Sequence, residues 1–374
     1  MFTKRKSISR REFLSRSSKI TGAGVLGLTA PLVLLRSNLV QATRPDRKIK
    51  VGQIGTAHPH ARGKIETLRK LSDLYEVVGI VEPDAKRRKA VENRSAYKGL
   101  KWMSEEQLLG TKGLKAVAVE TSMRDLVPAA MRCVDAGMHV HLDKPPGESL
   151  SAFEKLLNEA ARCKLTVQLG YMFRYNPAFK FCFRAVREGW LGEIFELHGV
   201  ISKKISASSR KSWLEYTGGT MQNLGSHLID ALVTVLGKPQ KITAYVRHTR
   251  PEQDNLKDNQ LAVFEYPKAT ATIRSSVVEV EGGKRRQFVV CGDRGTIDIR
   301  PLEPPRLQLA LDGPQGQYKK SYQEVKLPPM SGRYDGQLIE FARIIRGELE
   351  PDYTPSHDLA VHEAVLCACG LALD

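Results

Sequence analysis

Between residues 48 and 170 the chain repeats one pattern of apolar and polar positions. A short apolar run is followed by a glycine or polar turn, and then by apolar residues at helical spacing. Short apolar runs that alternate with amphipathic helices are typical of parallel strands covered on both faces. The pattern therefore predicts a parallel, doubly wound sheet. The predicted strands cover residues 49–54, 75–81, 114–121, 137–142 and 166–170, and the predicted helices include 127–136 and 148–163.

After residue 190 apolar and polar positions alternate, and short turns such as Tyr266-Pro267-Lys268 join the runs. This pattern favours antiparallel pairing. One face of such a sheet covers its helices, and the other is available to a second subunit, so we expect a homo-oligomer. A helix over residues 358–371, with Ser356 as its N-cap, is predicted to close the chain. The predicted strands cover residues 194–201, 242–246, 261–266, 269–280, 288–291 and 296–299.

The loop that follows the first strand, Gly55-Thr56-Ala57-His58-Pro59-His60, leads directly into a helical pattern. A strand, a glycine turn and a helix open a dinucleotide-binding unit, in which the pyrophosphate rests on N–H groups at the helix start. The glycine fingerprint is incomplete, because Ala57 stands at its second glycine position and His60 at its third. Ala57 still permits close backbone approach, and His60 can itself reach a phosphate or the substrate.

Glu82 follows the second strand, where an acid accepts hydrogen bonds from the adenosine ribose. A carboxylate there repels a 2′-phosphate and favours NAD over NADP, whereas Arg87 and Arg88 offer an alternative in which NADP is accommodated. The predicted cofactor contacts are Gly55, Thr56, Ala57, His58, His60, Glu82, Thr121, Asp143 and Lys144.

Lys144 stands at the end of the fourth strand, in the stretch His139-Val140-His141-Leu142-Asp143-Lys144-Pro145-Pro146. Proline cannot continue a sheet ladder, and it holds the preceding residue in an extended conformation. Ligands of open α/β sheets bind at the carboxyl ends of the strands. A lysine at this edge can donate a proton or stabilise charge on a reacting oxygen.

Four segments in this order resemble the Gfo/Idh/MocA oxidoreductase family: VGQIG (51–55), HVHLDKP (139–145), GYMFRYNPAF (170–179) and GGTMQNLGSHLID (218–230). The resemblance implies an α/β fold with two domains. An N-terminal Rossmann domain, residues 43–168, would bind NAD(P) through a doubly wound parallel sheet. A C-terminal α/β domain with an open, mostly antiparallel sheet, residues 169–374, would hold the substrate and form the oligomer, and the last helix could pack back on the first domain.

The same resemblance implies roles for individual residues. His227 would be the general base that takes the hydroxyl proton, and Lys144 would stabilise the alkoxide or relay the proton. Asn223 lies four residues before His227, where the family pattern carries an acid, and an amide cannot exchange a proton. The predicted substrate contacts are Tyr171, Arg174, Tyr175 and Asp230, with a structural ion pair as the alternative role of Arg174.

Three functional hypotheses follow. The leading one is hydride transfer between NAD(P) and a sugar, sugar acid or cyclic polyol. The second keeps the cofactor but uses transient oxidation for glycoside cleavage or epimerisation without net redox change, and Asn223 favours it. The third is a non-catalytic sugar-binding protein on the same scaffold.

Residues 1–42 carry the pattern of an export signal. The twin-arginine segment Ser9-Arg10-Arg11-Glu12-Phe13-Leu14 comes first, and an apolar run from Ile20 to Leu35 follows, too short to span a bilayer comfortably. Val40-Gln41-Ala42 then supplies small residues at a signal-peptidase site. We predict folded export to the periplasm by the twin-arginine machinery, with a membrane tether if the signal is retained.

Composition excludes two other classes of function. The 374 residues carry a net charge of +17, and because residues 1–42 hold eight Lys/Arg and one acid, the remainder keeps about +10. No basic stripe is interleaved with aromatic residues, so we expect no nucleic-acid binding. The six cysteines lack zinc spacing, and no acid or cysteine completes a metal set with His58, His60, His139 and His141, so we expect no metal.

Overall fold

The computed structural model describes residues 48–374, so the predicted export signal lies outside the described residues. The first domain is built on five parallel strands in the order β2-β1-β3-β4-β5. The strand order reverses between β1 and β3, and this switch point opens a crevice at their carboxyl ends. The strands are β1 (Ile49–Ile54), β2 (Tyr75–Val81), β3 (Leu114–Val119), β4 (His139–Leu142) and β5 (Val167–Leu169).

The helices of this domain begin at polar caps that the sequence supplies. Ser104 forms a capping box with Gln107, and the Ser149 hydroxyl accepts from Ala152 N at 3.0 Å. The helix predicted over 148–163 is confirmed, and it begins directly after its cap, Ser149. The helices are α1 (Ala61–Lys70), α2 (Ala85–Val91), α3 (Glu105–Leu109), α4 (Leu126–Asp135) and α5 (Leu150–Arg162).

The second domain contains an eight-stranded sheet in the order β13-β12-β11-β10-β6-β9-β8-β7. Only the β6–β9 pair is parallel, so the predicted mostly antiparallel sheet is confirmed for the described chain. The strands are β6 (Ile194–Ser202), β7 (Lys241–Arg247), β8 (Asn259–Glu265), β9 (Thr270–Ser276), β10 (Gln287–Gly292), β11 (Gly295–Leu302), β12 (Pro305–Leu311) and β13 (Tyr322–Glu324), and the helices are α6 (Pro177–Arg187), α7 (Ala207–Trp213), α8 (Ser226–Leu236), α9 (Asp335–Ile345) and α10 (Pro355–Ala368).

The two faces of this sheet differ in burial. The inner face, with Phe264, Ile273 and Phe288, is fully buried against the helices. The outer face carries a row of paired residues, Val263, Thr272, His198 and Val289, which are only partly buried. Tyr245 on the neighbouring β7 is 50% exposed. The outer face, which was predicted to meet a second subunit, therefore exposes both apolar and polar side chains.

Helices α6, α7 and α9 and strands β12 and β13, all in the second half of the chain, were not predicted. Strands β12 and β13 were missed, although Leu307, Leu309 and Leu311 alternate in β12 as a half-buried strand requires. Helix α9 was also missed, and it returns to the first domain. Its Leu338 and Phe341 join the core that contains Ile49 and Ile65.

The closing helix begins earlier than predicted. It spans Pro355–Ala368, and the Thr354 hydroxyl accepts from His357 N at 3.2 Å. Ser356 was therefore wrong as the N-cap, because proline is favoured at the first helical position and the cap precedes it. This helix contacts both α5 and α8. Among residues 48–374, no helix combines the length and the apolar character needed to cross a membrane.

Candidate active site

A cleft of about 680 Å³ opens between the two domains at the carboxyl ends of β1 and β4. The first domain contributes the predicted residues Ala57, His60 and Lys144 to its lining, and the second contributes Asn223 and His227. The cleft therefore brings together residues more than 150 positions apart in the sequence, and it lies where an open α/β sheet binds its ligands. The other lining residues are Pro59, Arg87, Ser122, Met172, Ile201, Lys203, Lys211, Ser212, Trp213, Glu215, Tyr216, Leu224, Arg286, Arg333 and Tyr334.

Lys144 connects the two domains. Strand β4 ends at Leu142, and the lysine side chain, only 1% exposed, reaches across the cleft. Its Nζ donates a hydrogen bond to the main-chain oxygen of Asn223 at 2.6 Å. Burial, together with the positive charge of Arg333, lowers the pKa of Lys144 to about 7, although Asp143 opposes that shift. The amine therefore exchanges its proton near neutral pH.

His227 faces the same cleft from the first turn of α8. Its ring packs against Phe173, at 5.4 Å between ring centroids, and against His60, at 6.2 Å. Within the described residues, its buried Nδ1 has no hydrogen-bond partner. Burial and the nearby Lys144 lower the pKa of His227 well below its usual range. The imidazole is therefore neutral and offers a hydrogen-bond acceptor beside the Lys144 amine.

Asn223 lies in a π-helical turn, Met221–Gly225, that precedes α8. Turns of this type widen the helix and occur frequently at functional sites. The Asn223 carbonyl accepts from Lys144 Nζ and from the Ser226 hydroxyl at 3.3 Å. Because the lysine is held by the main chain, its position does not depend on the side chain at residue 223.

Arg174 and Asp230 lie outside the cleft. The Arg174 guanidinium donates to Asp230 at 2.6 Å and to Asp358 at 2.5 Å, and all three side chains are buried. Arg174 therefore has the structural ion pair that was its alternative role, and the predicted substrate contact of Asp230 is corrected to a partner in this pair. Asp230 is one helical turn beyond His227, but the helix directs it toward Arg174 rather than toward the cleft.

Tyr171 and Tyr175 also lie behind the lining. The Tyr171 ring is fully buried and packs edge-on against His227, at 5.9 Å between ring centroids. The Tyr175 hydroxyl donates to Glu340 at 2.7 Å, at the back of the site. Tyr171 can position the imidazole, whereas Tyr175 belongs to a separate polar contact, so neither side chain lines the cleft as predicted.

The loop after β1 fits a dinucleotide. Gly55 has φ +89°, and a Cβ at this position would lie 2.6 Å from the nitrogen of Thr121, so only glycine is accommodated. Glu82, buried at the end of β2, accepts from Thr56 N at 2.8 Å and from the Thr56 hydroxyl at 2.6 Å. Arg87 donates to the other Glu82 oxygen at 3.2 Å. These contacts place the loop and Glu82, the acid predicted to contact the ribose, side by side.

The two arginines proposed for NADP behave differently. Arg87 lines the cleft beside Glu82, whereas the Arg88 guanidinium lies over the Trp102 ring, at 5.2 Å from the centroid. Arg88 thus contacts Trp102 on the helix surface, whereas Arg87 lies next to Glu82.

Asp143 organises a buried polar cluster under the loop. It lies 3.2 Å from His58 Nδ1 and 3.0 Å from His60 Nδ1, and it accepts from the main-chain nitrogen of Lys144 at 2.7 Å. Burial alone would raise the pKa of Asp143, but His58, His60 and Lys64 lower it well below its usual range. The cluster therefore fixes the loop, the start of α1 and the strand end that carries Lys144.

The expectation that no acid completes a metal-ligand set with the histidines was wrong. Asp143 does complete a set with His58 and His60, whose donor atoms lie within 4.8 Å of one another. His139 and His141 do not join this set, since His141 contacts Gln168 at 2.9 Å and His139 accepts from Thr166 N at 3.1 Å. The Lys64 ammonium lies 3.8 Å from Asp143 and supplies the positive charge of the cluster.

The cleft lining also contains basic residues that were not predicted from the sequence. Lys203 follows strand β6, Arg286 precedes β10 and Arg333 precedes α9. Lys203 carries a recognisable signal, because it follows the carboxyl end of a predicted strand just as Lys144 does. Arg333 has no comparable signal, since its position depends on the path of an irregular segment.

Comparison with known proteins places this geometry in a family. A model described as "Oxidoreductase family, NAD-binding Rossmann fold" (GFO_IDH_MocA) matches residues 49–171, and a model of the "GFO/IDH/MocA C-terminal domain" matches residues 180–298. The two matches cover the parallel sheet and most of the antiparallel sheet, and they include Lys144, Asn223 and His227.

Individual relatives are distant. The uncharacterized oxidoreductase YdgJ of Escherichia coli strain K12 is 25% identical over 54% of this chain and 59% of its own length. The scyllo-inositol 2-dehydrogenase (NADP(+)) IolW of Bacillus subtilis strain 168 is 25% identical over 49% of this chain and 51% of its own length. The aldose-aldose oxidoreductase of Caulobacter crescentus, solved with glycerol, has the same fold, with a TM-score of 0.73, 18% identity and coverage of 87% and 98%. The chain thus spans about half to three fifths of the two curated relatives.

Proposed function

The chain belongs to the GFO/IDH/MocA oxidoreductase family, and we propose that it transfers hydride between NAD(P) and a hydroxyl-bearing carbon of a sugar, sugar acid or cyclic polyol. The observation that carries this proposal is the approach of Lys144 and His227 in one cleft beside the dinucleotide loop. The bound nicotinamide supplies the hydride acceptor or donor at its C4 atom.

The chain's own residues manage the proton. We assign Lys144 as the acceptor of the hydroxyl proton, because a catalytic base works best when its pKa lies near the working pH. The pKa of Lys144 is about 7, whereas that of His227 is well below 6.5. The neutral imidazole then orients the substrate hydroxyl by accepting or donating one hydrogen bond. This assignment exchanges the two roles predicted from the sequence.

This assignment predicts a pH dependence. Burial lowers the pKa of Lys144 from 10.5 to about 7, so the amine is neutral above that pH and protonated below it. The kcat/KM for substrate oxidation should rise about tenfold per pH unit below pH 7 and level off above it. The kcat/KM for carbonyl reduction should show the opposite dependence: it should be constant below pH 7 and fall above it, because reduction needs the protonated amine. Initial rates at constant ionic strength measure both, and an oxidation rate that does not change between pH 5.5 and 8.5 would contradict the assignment.

Cofactor preference depends on Glu82. We propose that the protein prefers NAD, because the buried Glu82 carboxylate at the end of β2 would accept from the adenosine ribose and repel a 2′-phosphate. Glu82→Ala should raise the Kd for NAD about tenfold, since charge-assisted hydrogen bonds to the ribose are lost. The same variant frees Arg87 from its ion pair and should improve NADP binding. Calorimetric titration with both cofactors checks this, and Arg88→Ala serves as a control without effect.

A second candidate function is favoured by Asn223. The cleft lining carries an amide where the family resemblance leads us to expect an acid, and its single carboxyl group is Glu215. Transient oxidation of a sugar would acidify the neighbouring C–H, and the Lys144 amine, after passing the hydroxyl proton to solvent, would remove this second proton. Elimination or epimerisation would follow, with the hydride returned to the same sugar.

One experiment tests the proposal and separates these two outcomes. Purified full-length protein is denatured, and the supernatant is assayed for released NAD(H) or NADP(H). Folded protein is then incubated with free sugars, polyols and glycosides, and both reduced cofactor and products are quantified. Reduced nicotinamide in a one-to-one ratio with oxidised product supports net oxidation. Cleavage or epimerisation without it supports the second function, and turnover that needs no nicotinamide cofactor contradicts both.

Export and assembly are further parts of the proposal. The twin-arginine pattern of residues 1–42 supports folded export to the periplasm, which would let the cofactor be acquired in the cytoplasm first. Cell fractionation of the wild type and of Arg10→Lys/Arg11→Lys measures this.

The open outer face with Val263, Val289 and Tyr245 supports a homo-oligomer, which light scattering of the purified protein measures.

A further inference from the structure

The substrate end of the cleft is strongly cationic. Lys203, Arg286 and Arg333 come from three separate segments of the second domain and all line it. Lys211 adds a further positive charge to the lining, and among the described residues the single acid on that lining is Glu215. Burial raises the pKa of Glu215, and His58, Arg87 and Arg124 of the first domain oppose that shift.

These cations have few partners within the described chain. Lys203 Nζ lies 4.7 Å from the Trp213 ring centroid, and no described carboxylate lies within 4.0 Å of it. Arg286 donates to the main-chain oxygen of Ser202 at 3.0 Å. It likewise has no described carboxylate within 4.0 Å. Arg333 is paired with Glu303 at 3.0 Å. Lys203 is thus half-buried with no described carboxylate within 4.0 Å, whereas Glu303 is shared between Arg333, which it pairs with, and Arg286, on which it acts electrostatically.

The three groups are also close enough to affect one another. Burial, then Arg286 and Arg333, lowers the pKa of Lys203. Burial also lowers the pKa of Arg286, where Glu303 opposes the shift and Arg333 adds to it. Like charges held together in a partly desolvated site destabilise each other, and an anion placed between them removes this cost. Arg333 also acts electrostatically on Lys144 and His227, so the cationic group adjoins the reacting atoms.

We infer that the substrate is an anionic carbohydrate, whose carboxylate or phosphate is bound by Lys203, Arg286 and Arg333 while a neighbouring hydroxyl faces Lys144. This inference rests on the proposed function and narrows its substrate class. The cofactor pyrophosphate is a different ligand, because the dinucleotide loop at residues 55–60 belongs to the first domain. Trp213, over which Lys203 lies, offers an aromatic face to the apolar side of a sugar ring.

Matched sugars test this inference in the full-length protein saturated with NAD+. Calorimetry compares glucose with glucuronate and glucose 6-phosphate, and galactose with galacturonate. At least one anionic sugar should bind about tenfold or more tightly than its neutral counterpart, because charge-assisted hydrogen bonds add to the sugar contacts. The difference should shrink as salt is raised. The carboxylate and phosphate arms decide which anion the site prefers.

Variants locate the effect. Lys203→Met and Arg286→Met should each weaken binding of the anionic sugar about tenfold and so reduce its preference over the neutral counterpart. Lys204→Met is the matched control, because it removes the same charge from the next residue, which is exposed and absent from the cleft lining. Thermal unfolding of each variant confirms that it is folded.

The outcomes separate this inference from the proposed function. Equal binding of neutral and anionic sugars, no binding of either, or equal losses in Lys203→Met and Lys204→Met would overturn the inference. Formation of reduced nicotinamide is followed in the same samples. Tight anionic binding without hydride transfer would sustain the inference and count against the proposed activity, whereas hydride transfer from neutral sugars alone would do the reverse.

Discussion

Replacing Lys144 with methionine is expected to lower kcat by about 10²–10⁴-fold, because the proton acceptor of the proposed reaction is lost. The side chain keeps most of its volume, so the folded structure should persist. Lys144→Arg should be nearly as inactive, since a guanidinium retains charge but does not release its proton near neutral pH. Steady-state kinetics measure kcat, and calorimetry shows whether NAD affinity stays within about twofold of the wild type.

His227→Ala serves as the comparison that separates the two roles. It should also slow turnover, but it should retain the rise of oxidation rate with pH near 7, because that rise belongs to the Lys144 amine. If His227→Ala loses the rise of oxidation rate with pH and Lys144→Met keeps it, the proton acceptor is the imidazole instead.

Arg174→Ala is expected to destabilise the protein by about 3–5 kcal/mol, the cost of leaving buried carboxylates without their cation. Arg174 holds Asp230 and Asp358 together, and its guanidinium lies 3.9 Å from the Tyr353 ring centroid. Burial raises the pKa of Asp358, whereas at Asp230 the arginine overcomes burial and lowers it. Urea unfolding followed by circular dichroism measures the loss.

The triple variant Arg174→Met/Asp230→Leu/Asp358→Leu is the matched control for this ion pair. It removes all three charges, so it should be more stable than Arg174→Ala, because replacing a buried ion pair by apolar residues of similar volume is often neutral or stabilising. A substrate-contact role for Arg174 would give a different result, namely normal stability in Arg174→Ala with a raised KM.

Much of the fold could be predicted because its signals are local. The five parallel strands follow from apolar runs such as residues 114–119, which become β3, and the antiparallel sheet follows from alternation along β8 and β9. Strand β12 shows the same alternation and was missed only because two prolines precede Arg306. Helix α9 was missed for another reason: its amphipathic face packs against the first domain, so its role depends on tertiary structure.

The site was predictable only where a residue's position follows from one element. Lys144 stands at a strand end, and His227 stands in a motif at the start of a helix, and both face the cleft. Helical spacing placed Asp230 on the same face as His227. Spacing does not show, however, that Arg174 from another segment binds the Asp230 carboxylate in the folded protein. The cationic group has the same limitation, because Arg333 is brought beside Lys203 only by the folded path of the chain.

The substitution at residue 223 has a structural explanation. In this site the lysine is anchored by the main-chain carbonyl of Asn223, which any residue supplies. The polar cluster around Asp143 holds the strand end from the other side, through the main-chain nitrogen of Lys144. An amide at residue 223 therefore leaves the position of the Lys144 amine unchanged, and its effect is limited to what the side chain itself contacts in the cleft.

The most direct measurement is a crystal structure of the protein with NAD+ bound. The nicotinamide ring should lie in the interdomain cleft with its C4 atom facing the space between Lys144 Nζ and the His227 ring, and the adenosine ribose should contact Glu82. A nicotinamide ring bound outside this cleft, or an adenosine ribose distant from Glu82, would contradict the assignment of the cleft as the site of hydride transfer.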